Sequence, residues 1–296
     1  MTTDRYKHLS FAGVLFLLLF FLWESAILLS AAKEALSFTA QTILPALFPF
    51  LVLSGMLAKA ARGIRLPGSA LFRRLFRLPG EGFLAFLLGA LCGFPIGVKV
   101  TAELYRAGAI TREEAARLAA LSANTGPGFT VAAIGGALFG SRGLGLRIYV
   151  IQMLSGVLLG VLAARRTPLP AARPQFDGDE KKEPFSELLY RASLSMLGIA
   201  GITVFFGTLA SLGARLLPPL AAAGLTALLE VGNAARAAAA LPETIGIPLV
   251  FFAVSFSGLS VLMQSAALLS PEGISMSPLL KRKLLQGLLA AAIALL

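Results

Sequence analysis

Four clusters in this sequence combine polar or charged side chains with residues that interrupt helices. Gly93-Phe94-Pro95-Ile96-Gly97 sets a proline, which lacks a backbone donor, between two glycines, and Lys99, Thr101 and Glu103 follow it. Asn124-Thr125-Gly126-Pro127-Gly128 repeats the design and adds side-chain donors. Glu230, Asn233 and Arg236 recur at helical spacing within one short run, and Ser257, Ser260 and Gln264 follow the same spacing further on. In apolar surroundings such groups could hold a small anionic solute. Lys99 and Arg236 would neutralise two carboxylates, and Glu230 would orient Arg236 or titrate with a coupled proton. Half-helix N-termini after the two breaks would donate backbone N–H groups. Each cluster also has a plainer reading. The first is a packing kink, the charges are snorkelling side chains or structural ion pairs, and the Ser and Gln side chains are glue between helices.

The elements that must position these groups are membrane helices. Of the 296 residues, 57% are hydrophobic and 14% charged, outside the usual range for a soluble domain of this length. Leu9 to Leu29, Phe83 to Val98, Ile148 to Ala164 and Pro248 to Leu269 are continuous apolar runs. They approach or reach the roughly 20 residues needed to cross about 30 Å of hydrocarbon. Continuous rather than alternating apolarity argues against a β-barrel. The net charge of +11 sits mostly in short segments between apolar runs, the pattern of membrane topology rather than of nucleic-acid binding. Residues 1–30 read as a retained first span, since their apolar run exceeds a signal-peptide core.

The sequence therefore predicts an all-α polytopic membrane protein with about nine transmembrane or re-entrant helices. The expected spans are 9–31, 36–58, 82–104, 112–139, 143–164, 186–212, 216–240, 247–268 and 278–296. A basic segment, 59–81, includes Arg62, Arg65, Arg73, Arg74 and Arg77, and its piece Leu71 to Arg77 should lie along the headgroups. A Pro-rich charged linker, 165–184, divides the N-terminal membrane half, 1–164, from the C-terminal half, 185–296. Most basic loops fall inside if the N-terminus is cytoplasmic, with Arg165 and Arg166 against.

An internal repeat lays Gly93 to Thr101 over Phe256 to Gln264. Each segment leads through a glycine loop (Gly108, Gly273) into another helix, and Leu47 to Lys59 lies over Leu228 to Ala240. Corresponding spans an odd number of elements apart would give two inverted repeats with broken helices at the midplane. Chance similarity among Gly- and Ala-rich helices is the alternative. Asn124 to Gly128 is then either a re-entrant tip or a mid-membrane break, and either way it should face a cavity.

Little points to an enzyme. There is one histidine, His8, with no metal-ligand spacing, no Ser-His-Asp set and no phosphate-binding glycine loop, so no catalytic residue, metal or cofactor is expected. Thr111 with Glu113-Glu114 reads as a helix cap, and the single Cys92 as a small buried hydrophobe.

Gly93 to Gly97 with Lys99, Thr101 and Glu103, then Gly108 to Thr111, Glu113-Glu114 and Asn124 to Pro127, resembles the YlbJ-like sporulation integral membrane proteins. Ile43 to Phe50, Leu229 to Asn233 and Lys283-Leu284-Leu285-Gln286-Gly287 resemble other stretches of that family. The family groups with nucleoside-recognition, or gate, domain proteins, whose repeat organisation is similar to that of concentrative nucleoside transporters. What the resemblance implies is a role in endospore formation: carrying dipicolinate from the mother cell across the outer forespore membrane. The alternatives are a nucleoside or other small-anion transporter and a non-transporting scaffold of the spore envelope. The expected partners are the solute and the lipid bilayer, without nucleic acid, and a homo-oligomer is compatible with the sequence.

Overall fold

The computed structural model describes residues 2–60, 64, 66–170 and 184–296. Linker residues 171–183, and Arg62 and Arg65 of the basic segment, lie outside the described residues. The described chain is all helical: α1 (Thr2–Trp23), α2 (Ser25–Phe38), a π-helical turn Thr39–Ile43, α3 (Leu44–Ala60), α4 (Ser69–Phe76), α5 (Gly82–Cys92), α6 (Ile96–Arg106), α7 (Arg112–Ser122), a π-helical stretch Gly128–Leu138, α8 (Arg142–Ala164), α9 (Phe185–Leu216), α10 (Pro219–Leu229), α11 (Val231–Ala239), α12 (Glu243–Phe256), α13 (Gly258–Leu269) and α14 (Ser277–Ala294).

Among the described residues, three helices are long and apolar enough to cross a membrane: Arg142–Ala164, Phe185–Leu216 and the α12–α13 stretch Glu243–Glu272. The expected first span, 9–31, is not one straight helix. Its two parts, Phe11–Trp23 and Ser25–Gln41, bend by 89° at Glu24, whose carboxylate is held by Arg215 at 3.2 Å. They make a fourth crossing only if counted together. The expected spans 82–104, 112–139 and 216–240 are each divided in two. Their apolar pieces Gly82–Cys92, Gly128–Leu138 and Pro219–Leu229 have 11 residues apiece. The two that are α-helices, α5 and α10, rise about 16 Å each, half a bilayer core.

Local chemistry explains several boundaries. Thr111 and Glu114 form a reciprocal cap at the head of α7, with Thr111 N–H donating to Glu114 Oε2 at 2.7 Å and Glu114 N–H to Thr111 Oγ1 at 3.2 Å. Ser141 accepts from the Leu144 N–H and starts α8. On amphipathic α4, Phe72 and Phe76 are buried while Arg73 and Arg74 are exposed.

The two halves share one core. Leu51, Phe72, Leu88, Ile96 and Leu118 from the first half join Leu188, Met196, Phe256, Leu262 and Leu279 from the second. α9 packs on α2 and α3, α13 on α6, and α14 on α7, α8 and α12.

Close backbone approach sets the centre of the first half. A Cβ on Gly89 or Gly97 would fall against the Ser122 carbonyl, and the one on Gly97 would also lie 2.8 Å from Gly89 Cα. Backbone cannot yield as a side-chain tip does, and overpacking costs about 1–3 kcal/mol. Gly97→Ala should therefore lower the melting temperature in detergent by about 5 °C. Gly198→Ala, where nothing lies within 4 Å, should stay within about 1 °C of wild type.

Candidate functional site: two pairs of broken helices and a buried lysine

Each half contains two helix breaks that touch each other. In the first half α5 ends at Cys92, Gly93 takes φ +82°, the Phe94–Pro95 peptide is cis, and α6 starts at Ile96. This break lies directly on the second. A Cβ on Gly93 would sit 2.5 Å from the Gly126 nitrogen, so glycine is required here for close approach as well as for φ. Thr101 Oγ1 donates to the Gly97 carbonyl at 2.8 Å and lies 3.3 Å from Ser122 Oγ, tying α6 to the end of α7. Phe94 and Phe129, beside the breaks, pack on the cluster around Ile134, Phe251 and Val254.

At the second break, Ala123 to Pro127, the helical hydrogen bonds lapse around Thr125, and side chains serve that peptide unit instead. Gln152 of α8 clasps Thr125 from both sides, its Oε1 accepting from the Thr125 N–H at 3.1 Å and its Nε2 donating to the Thr125 carbonyl at 3.0 Å. Thr125 Oγ1 donates to the Val254 carbonyl of α12 at 3.1 Å. Asn124 Nδ2 donates to the Leu121 carbonyl at 2.8 Å, and Asn124 Oδ1 faces Gln286 Nε2 of α14 at 3.3 Å. Gln286 Nε2 also donates to the Gln152 carbonyl at 2.7 Å, and Gln286 Oε1 accepts from Lys283 Nζ at 2.9 Å. Asn124, Thr125, Gln152, Lys283 and Gln286 are all at most 2% exposed. A lysine so buried normally stands opposite a carboxylate, because an isolated charge is costly away from water. Here its hydrogen-bond partner is a neutral amide, and no carboxylate acts on it among the described residues.

In the second half α10 ends at Leu229 and α12 at Phe256. Ser257 and Gly258 both take positive φ, +76° and +75°. A Cβ on Gly258 would meet the Leu229 carbonyl and Glu230 Cα at 3.1 and 3.2 Å, so this pair of breaks also packs backbone on backbone. Glu230 is 4% exposed and caps α11, accepting from the Gly232 N–H at 2.9 Å and the Asn233 N–H at 2.7 Å. Ser257 Oγ donates to the Val254 carbonyl at 3.3 Å, the same acceptor that Thr125 uses. Ser260 and Gln264 are buried, and Ser255 Oγ and Gln264 Oε1 have no hydrogen-bond partner among the described residues.

Gly93, Pro95, Gly97, Thr101 and Asn124 to Gly126 are thus gathered at one junction, and Ser257 reaches it through the Val254 carbonyl. Asn233 and Arg236 face elsewhere. Arg236 pairs with Glu34 of α2 at 3.2 Å, donates to Asn233 Oδ1 and lies over the Phe38 ring at 4.9 Å. Glu230 accepts from backbone N–H groups and lies within electrostatic reach of Arg236, whose own contacts go to Asn233 and Glu34. Lys99 is partly exposed, and no hydrogen bond or ion pair joins it to Arg236. Sequence reasoning passed over Gln152, Lys283 and Gln286 as site residues. Lys283 stands in the run Lys281-Arg282-Lys283 near the start of the expected last span, 278–296, where basic residues read as an interfacial cluster. Its i, i+3 partner Gln286 was the available signal that this lysine turns inward.

No family model and no solved structure matches the chain. Among curated proteins, it is 27% identical to the sporulation integral membrane protein YlbJ of Bacillus subtilis (strain 168), over 349 aligned positions covering 98% of this chain and 84% of that protein. The match runs end to end through both pairs of breaks and agrees with the resemblance carried by the motifs. The chain is an integral membrane protein, similar over nearly its whole length to that sporulation protein.

Proposed function

We propose that this protein is a membrane transporter of a small anionic solute, with Lys283 as the charge that selects it. The observation that carries this reading is a fully buried lysine linked through Gln286 to Asn124, at the point where a helix is broken at depth. Irregular backbone in a bilayer is tolerated where it is buried in protein or lines a solute path, and an intramembrane cation without an acidic partner is a functional residue by default. An anion arriving beside Lys283 would supply the missing counter-charge and take hydrogen bonds from Lys283 Nζ, whose three N–H groups have Gln286 Oε1 as their one acceptor among the described residues.

The repeat reading is supported by packing. Two of the corresponding pairs pack on each other, α6 with α13 and α7 with α14, an arrangement that a pseudo-two-fold axis passing between them would produce. The leading solute is dipicolinate, carried during sporulation from the mother cell across the outer forespore membrane. The sporulation name of the Bacillus relative favours this over nucleosides and other small anions. The competing reading, a spore-envelope scaffold, gives no reason for a buried unpaired lysine.

The experiment is thermal stabilisation of the purified protein in detergent with dipicolinate, related aromatic dicarboxylates and nucleosides. Dipicolinate should stabilise the wild type by about 2.7 kcal/mol at a hundredfold excess over its Kd. Lys283→Met, which keeps the volume and removes the charge, should fold and lose that response. Stabilisation by nucleosides alone would move the substrate, and no response to any ligand would favour the scaffold. Arg236→Ala should behave differently, melting lower because Glu34 loses its partner while keeping the dipicolinate response. Equal loss of binding in both variants would return Arg236 to the site.

A further inference from the structure

The seam between α7 and α14 carries a second concentration of charge. Arg282, one residue before Lys283, is partly buried and makes no hydrogen bond or ion pair among the described residues. It lies within electrostatic reach of Arg117 on α7 and of Lys283, and no carboxylate acts on Arg282 or Lys283 among the described residues. Arg117 is itself engaged: its Nη2 donates to the Phe76 carbonyl at 2.7 Å and its Nη1 to the Arg77 carbonyl at 3.3 Å, while Glu113 and Glu114 offset its charge. Those carbonyls end α4, the amphipathic helix that keeps Arg73 and Arg74 exposed. The seam therefore lies beside the end of a helix of membrane-surface type.

Arg282, unlike Arg117, has no acidic neighbour to offset its charge, and partial burial raises the cost of leaving it so. Adjacent residues on a helix project about 100° apart. α14 thus presents Arg282 in one direction and Lys283 in another, toward Gln286 and Asn124. We propose that Arg282, backed by Arg117, forms an outer anion site, the mouth through which a carboxylate or phosphate group reaches Lys283. The onward step rests on the transport reading of Lys283; the anion affinity of Arg282 does not. A free anion and a lipid phosphate offer the same chemistry here, and the test separates them.

The test uses the full chain in phosphatidylcholine nanodiscs. In buffer of low ionic strength, R282Q should melt higher than wild type, because it removes an uncompensated charge; a residue that merely holds the fold would make the variant melt lower. Inorganic phosphate should stabilise the wild type and leave R282Q unmoved. With dipicolinate, R282Q should slow association about tenfold, flatten its salt dependence and leave dissociation within about twofold. Equal stabilisation of both proteins by phosphate, or a lower melting temperature for R282Q, overturns the outer site. If phosphatidylglycerol stabilises through Arg282 while anion association is unchanged, the ligand is a lipid headgroup and the mouth is overturned. Wild type that takes phosphate at Arg282 but binds no dipicolinate removes the solute reading of Lys283 and leaves the outer anion site standing.

Discussion

The two-sided clasp of Thr125 by Gln152 is the interaction on which the centre of this molecule depends. Lipid offers no hydrogen bonds, so a peptide unit pulled out of a helix at membrane depth must be satisfied by protein. One carboxamide, donor and acceptor together, matches one peptide N–H and C=O, and Gln152 meets both within 3.1 Å. With the backbone provided for, Asn124 is free to face Gln286, and Thr125 Oγ1 is free to reach Val254. Without the clasp the break would leave a buried amide and carbonyl unpaired, each costing about 1–3 kcal/mol.

Around this centre the fold uses glycine where another fold would use side chains. Gly89 and Gly97 let α5, α6 and the end of α7 approach backbone to backbone, and Gly135 and Gly145 do the same between the π-helical stretch and α8. Small residues at helix contacts suit a lipid setting, where burying one more apolar side chain gains little over leaving it in acyl chains. The result is a rigid frame for the broken segments. Rigidity matters, because the polar groups at the breaks have short reach and little tolerance for displacement.

Much of this was legible in the residues. Proline between glycines predicted that a helix stops near Gly93, and Asn124 to Gly128 predicted the second break, because these residue types act through local backbone geometry. The capping pair Thr111 and Glu114 was readable for the same reason. Partnership was not readable. Arg236 goes to Glu34, some 200 positions away in sequence, and Lys283 turns inward although Lys281 and Arg282 beside it make it look like part of an interfacial cluster. The 89° bend at Glu24 escaped because an apolar run of membrane length gives no sign of a turn until Arg215 is known to hold the carboxylate. Local signals specify where chains break, and tertiary contacts decide which charges meet.

The Val254 carbonyl has a consequence for motion. Two hydroxyls converge on it, Thr125 from the first half and Ser257 from its own break. A carbonyl oxygen has two lone pairs, so it can release one donor and remain satisfied by the other. The halves are therefore fastened at a point where letting go strands no acceptor, and Thr125 alone must find a new partner. A joint of this kind behaves as a ratchet pawl rather than a weld: it holds register at rest, and its release costs one hydroxyl bond instead of an orphaned backbone group.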